Sequence, residues 1–248
     1  MYGQVPAGRM GALEALSRGI PAELTVFVRK TYGMLAFSLA LGAAACWFGM
    51  GLLPVKVTPR GVHADFPIWI LFALWAGTFV FGLVGNMARK GARQGEFSIL
   101  GLVGLVGLVL CSGLMLAPTI GMYLAAGMAK TVAAAAVVTA VTFTALTAVV
   151  FLTGKDFGFL GKFLFVAFIA FFVAWLAGAF FVKSAGFQWW LAAAGAVLFC
   201  AYILFDTSSV VRYYGPNNLV VPAVIALYLD IFNLFVMLLY VLGGRRSD

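Results

Sequence analysis

FQWWLAAAGAVLFCAYILFDTSSVVRYYGPNNLVVPAVIALYLDIFNLFVMLLYVL, residues 187–242, decides the fold. It consists of two apolar runs, near 187–210 and 219–242, separated by the turn chemistry of YGPNN at 214–218. A bilayer-spanning helix takes about 20 predominantly apolar residues. Each run meets that length, so the stretch reads as a helical hairpin through a membrane. Two acids interrupt it: Asp206 in AYILFDTSSVV, near the end of the first run, and Asp230 in ALYLDIFNLF, about halfway along the second.

An ionised carboxylate at the bilayer centre costs at least about 2.5 kcal/mol on insertion scales. Each aspartate therefore needs a partner, a proton or water. The two lie nearly symmetrically about GPNN, and in an antiparallel hairpin equal arms bring them to similar depth, within about 3 Å of rise. Spacing does not fix whether their rotational phases agree. If the carboxyls face each other in a low dielectric, both cannot stay charged and they share one proton, which makes a proton sensor. Deprotonation then leaves two like charges, favouring separation of the helices or a cation between them. Ca²⁺ prefers oxygen ligands of this kind, so Asp206 and Asp230 are also the candidate metal ligands. In the alternative reading each acid finds its own hydrogen-bond partner among Thr207, Ser208, Tyr228 and Asn233.

The rest of the chain extends the pattern. Of 248 residues, 64% are hydrophobic and 10% charged, against about 25% charged in a soluble domain, and a single apolar core cannot absorb that excess. Further runs of spanning length lie near 33–53, 66–86, 97–124, 127–153 and 157–182, which with the hairpin makes seven and leaves no room for a separate soluble domain. Residues 1–248 read as one transmembrane domain. Pro118 marks either a turn or a kink near the end of the third run. The first thirty residues carry no signal-peptide pattern, so the first span is expected to serve as its own insertion signal.

The net charge of +8 sits singly or in small groups between the runs, where it acts as a topology signal rather than a nucleic-acid footprint. With the N-terminus cytoplasmic, ten basic residues fall inside and six outside. Arg245 and Arg246 at the tail pull the other way. Cys46, Cys111 and Cys200 lie inside apolar runs without CxxC spacing, and His63 is the one histidine, so neither a zinc site nor a disulfide framework is expected, and no cofactor. GLVGLVGLV places Gly101, Gly104 and Gly107 on the third run, a stripe at which another helix can approach closely or which lines a groove.

AYILFDTSSVVRYYGPNNLVVPAVIALYLDIFNLFVMLLYVLG closely resembles the signature region of the transmembrane Bax inhibitor motif family, most specifically in YLDIFNLF, and FVRKTYGMLAFSLAL resembles the start of that family's first helix. The resemblance implies an all-α seven-helix bundle whose last helix is surrounded by the other six, in a prokaryotic member. It implies a pH-sensitive Ca²⁺ leak channel with Asp206 and Asp230 as the paired aspartates of its sensor; the short tails and lack of targeting signals favour a bacterial inner membrane. Channel members place an arginine directly after the methionine of a segment similar to NMARKGAR at 86–93, and this arginine latches the first aspartate. Here Met87 is followed by Ala88 and then Arg89. One residue rotates a helical side chain by about 100°, so Arg89 is either a displaced counter-charge or part of a positive-inside loop with Lys90 and Arg93. Other relatives are linked to a membrane-bound AAA protease, so the alternative to a channel is a non-transporting regulator of another membrane protein.

Two other classes that need similar features fit less well. Intramembrane aspartyl proteases carry YD and GxGD motifs, whereas Phe205 precedes Asp206 and Leu229 precedes Asp230. A light-driven rhodopsin needs a Schiff-base lysine in its last helix, and 219–242 has none. The expectation is a non-enzyme whose partners are the bilayer, Ca²⁺ and protons.

Overall fold

The computed structural model describes residues 22–58, 61–67, 69–87, 98–182 and 184–244. Seven helices in it are long and apolar enough to cross a membrane: α1 (Ala22–Leu52), α2 (Trp69–Met87), α3 (Ile99–Ala125), α4 (Ala129–Thr153), α5 (Leu160–Phe180), α6 (Ala185–Ser209) and α7 (Val220–Gly243). The protein is an all-α polytopic membrane protein. Its surface agrees with lipid as the solvent, because Phe37, Trp47, Phe48, Phe72, Phe163, Val166 and Val197 all stand exposed and would be a liability in water.

α1 starts about three turns before the expected position near 33. Its buried residues Phe27, Thr31, Leu35, Ser38, Gly42, Ala45 and Gly49 recur every three or four positions, forming one continuous seam. Glu23, Arg29 and Lys30 are exposed, with Arg29 on the face opposite the seam, so charge on the first turns does not interrupt the helix. Ser98 caps α3 by accepting a hydrogen bond from the Gly101 N–H at 3.2 Å. Pro118 lies inside α3, which continues to Ala125. Gly154 ends α4 with φ +59°, the left-handed conformation that glycine adopts without penalty. Between α1 and α2 the chain forms a short antiparallel hairpin, β1 (Val55–Thr58) with β2 (Gly61–Ala64), pairing Val55 with Ala64 and Thr58 with Gly61.

α3 packs along both α1 and α2. A Cβ on Gly104 would stand 2.5 Å from Gly85 Cα and 2.8 Å from the Phe81 carbonyl oxygen, and one on Gly113 would stand 2.5 Å from the Gly42 carbonyl oxygen. The glycine stripe thus brings backbone onto backbone. α7 packs against α1, α2, α3, α4 and α6, while α5 rests chiefly on α6. Half of α7's apolar span is buried, against 6% for α5, which makes α7 the most enclosed helix and α5 the most peripheral.

Candidate functional site

α6 ends in a π-helical turn, Val210–Tyr214, in which the Gly215 N–H donates to the Val210 carbonyl at 2.9 Å. The link to α7 closes with Asn218 N–H to Gly215 O and Leu219 N–H to Tyr214 O, both 2.9 Å. Asn218 sits at φ +50°, a conformation asparagine tolerates better than most residues. This tight connection sets α6 and α7 side by side. On α6 the buried positions include Phe199, Ile203, Asp206 and Val210; on α7 they include Ala223, Leu227, Asp230 and Leu234. Both sets follow the three-to-four spacing of a packing seam, so the two aspartates share their helices' inward phase.

The two carboxyl groups meet within hydrogen-bonding reach, Asp206 at 8% exposure and Asp230 at 5%. Asp230 Oδ2 meets no N–H or O–H donor among the described residues. A carboxyl–carboxyl hydrogen bond needs one proton between its oxygens, and two unscreened negative charges at that separation in a buried site would repel strongly. The geometry therefore suits a single shared proton. Tyr202 stands near both acids, with its hydroxyl donating to the Leu164 carbonyl of α5 at 3.0 Å.

The hydroxyl and amide groups near the aspartates in sequence are mostly engaged elsewhere. Ser208 Oγ accepts from the Phe157 N–H at 3.1 Å and donates to Asp156 Oδ1 at 3.4 Å, outside the aspartate pair. Tyr228 points toward α3, its hydroxyl 2.8 Å from Ser112 Oγ. Asn233 Nδ2 turns back to the Leu229 carbonyl at 2.8 Å. Thr207 is fully buried and its hydroxyl closes no hydrogen bond. Arg89 lies outside the described residues. Of the described cations, Arg212 reaches this end of the bundle, donating to the Gly154 carbonyl at 2.7 Å and standing 3.8 Å from Asp156 Oδ1. It ties the π turn to the α4–α5 connection.

Sequence reasoning did not single out Tyr32 and Thr147. The Tyr32 hydroxyl lies against those of Thr147 on α4 and Thr207 on α6, yet none of the three has a partner close and aligned enough for a direct hydrogen bond. Leaving such a group buried and unsatisfied costs about 1–3 kcal/mol. No cluster of three or more metal-ligating side chains occurs among the described residues, so the aspartate pair would supply a bound cation with carboxylate oxygens from two residues alone.

The family model for inhibitors of apoptosis-promoting Bax1 matches residues 24–247. The chain belongs to the Bax inhibitor family. An uncharacterized protein of Campylobacter jejuni is 34% identical over 227 residues, 91% of each chain. An uncharacterized membrane protein of Vibrio cholerae is 38% identical over 230 residues, 91% of this chain and 92% of its own. The similarity reaches plants: Protein LIFEGUARD 4 of Arabidopsis thaliana is 31% identical over 216 residues, 86% of this chain and 82% of its own. The family match runs from the first turn of α1 past the end of α7, so it includes both helices that carry the aspartates.

Proposed function

We propose that this Bax inhibitor family protein is a passive leak path for Ca²⁺ under pH control, with Asp206 and Asp230 as the sensor. The observation that carries the reading is the meeting of the two buried carboxyls across the α6–α7 seam. With one proton between them the pair is a hydrogen bond that holds α7 against α6. Loss of that proton replaces the bond with two like charges in a low dielectric, and the relief is outward movement of α7 with entry of water or a cation. The same oxygens then line the opened path and favour a hard cation. No bond in a substrate is made or broken, so the protein acts as a conduit rather than an enzyme. We place the N-terminus in the cytoplasm of a bacterial inner membrane, in keeping with the excess of basic residues in the segments on that side.

Purified protein in liposomes loaded with a Ca²⁺ indicator tests the reading. The expected result is Ca²⁺ entry above that of empty liposomes, rising as the pH is raised from about 5 to about 8. Entry no faster than in empty liposomes at every pH would leave the protein as a non-transporting regulator and overturn the channel.

A further inference from the structure

α7 is held unevenly along its length. Buried positions crowd its first half, from Pro222 to Ile231, whereas beyond Ile231 only Leu234 and Leu239 of this helix are buried. The second half is held instead by two aromatic side chains from neighbouring helices. Tyr123, near the end of α3, donates its hydroxyl to the Leu239 carbonyl at 3.1 Å. Trp189, near the start of α6, donates its indole N–H to the Val241 carbonyl at 3.0 Å, in the last turn, where a helix runs out of its own amide donors. Both rings lie directly on glycine backbone: a Cβ on Gly243 would stand 2.7 Å from Tyr123 Cε1, and one on Gly244 2.9 Å from Trp189 Cδ1. Trp190 meets the Trp189 ring edge-on with centroids 4.9 Å apart, which fixes its plane. At their other ends α6 and α7 are joined by the tight 214–219 connection, so Trp189 closes the hairpin where it would otherwise be open. With the connection intact, separation of the two helices has to begin at the Trp189 end.

We propose that Tyr123 and Trp189 lock the second half of α7 to α3 and α6, and that this half is the part that swings out when the leak path opens. The lock rests on the leak-path reading above and specifies which end of α7 moves. The first half stays in the core as the fulcrum. Val241 lies about 16 Å of helix beyond Asp230, so a tilt of the second half parts the α6–α7 seam from the C-terminal end of α7 down to the aspartates.

The test replaces the lock by one that can be switched. The contact between Trp189 Cδ1 and a Cβ on Gly244 puts Trp189→Cys with Gly244→Cys within reach of a disulfide, in full-length protein whose three native cysteines are replaced by alanine. Reduced, this double variant has no lock; oxidised, it has a covalent one. In liposomes at about pH 8 the reduced form should pass Ca²⁺ at least about fivefold faster than the wild type, and the oxidised form no faster than empty liposomes. Tyr123→Phe, which keeps the ring over Gly243 and removes one hydrogen bond, should also leak about fivefold faster. Deuterium exchange in lipid nanodiscs reads the movement without Ca²⁺: amides over 232–242 should exchange about tenfold or more faster in the reduced than in the oxidised form, with 222–231 unchanged. Equal exchange in the two forms, or a change confined to 222–231, overturns the moving half. An oxidised form that leaks like the wild type overturns the lock as a gate. No leak from the wild type or the reduced form overturns the leak-path reading, and the exchange comparison then decides the lock alone.

Discussion

Replacing Gly104 with alanine should push α2 and α3 apart. The new methyl would stand 2.5 Å from Gly85 Cα and 2.8 Å from the Phe81 carbonyl oxygen, where ordinary contact begins at 3.4 Å. Both obstacles are backbone, so no side chain can swing away, and the helices must separate by about 1 Å at their crossing in an interior packed as densely as an organic crystal. Overpacking of this kind costs about 1–3 kcal/mol, and the backbone contact places Gly104→Ala toward the upper end. Gly33→Ala is the control. It has nothing within 4 Å of the new methyl and should be neutral or gain up to about 1 kcal/mol of helix propensity. The assay is reversible unfolding in mixed micelles with increasing SDS, followed by tryptophan fluorescence. Equal stability of the two variants would refute the claim that α3 is held to α2 through bare backbone.

Other consequences follow from single contacts. Ser112→Ala should cost about 1–3 kcal/mol by stranding the buried Tyr228 hydroxyl now 2.8 Å away; in the same assay, Ser112→Ala with Tyr228→Phe should cost less than the sum of the two single changes. Arg212→Leu breaks both a 3.8 Å pairing with Asp156 between half-exposed side chains and the exposed 2.7 Å hydrogen bond to the Gly154 carbonyl, and should lower stability by about 1–2 kcal/mol, which thermal unfolding in detergent can read. The N-terminus-inside topology predicts that in intact cells of a cysteine-free background a cysteine replacing Lys56 reacts with an impermeant maleimide, and one replacing Lys155 reacts only after permeabilisation.

The seven spans were legible because length and composition alone identify a membrane helix. The start of α1 was not, because Arg29 and Lys30 break the apolar run although Phe27, Thr31 and Leu35 continue the helical seam beneath them. VKVT and GVHA at 55–58 and 61–64 are too short to distinguish from loop by periodicity. The depth match of Asp206 and Asp230 could be read from their symmetry about GPNN, but their phase could not. In a soluble helix the apolar stripe marks the inward face; here apolar residues cover every face, so Asp206 and Asp230 had no stripe against which to be placed. The hydroxyls of Tyr32 and Thr147 carried no signal, since a threonine in a membrane helix ordinarily satisfies itself.

The most direct test of the aspartate pair is the pH profile of Ca²⁺ entry into proteoliposomes containing Asp206→Asn. An asparagine amide donates to the Asp230 carboxylate at every pH, so the bond across the α6–α7 seam no longer depends on a titrating proton. Entry near pH 8 should fall to the level the wild type shows near pH 5 and stay flat between them. A variant that retains the wild-type rise with pH would contradict the account.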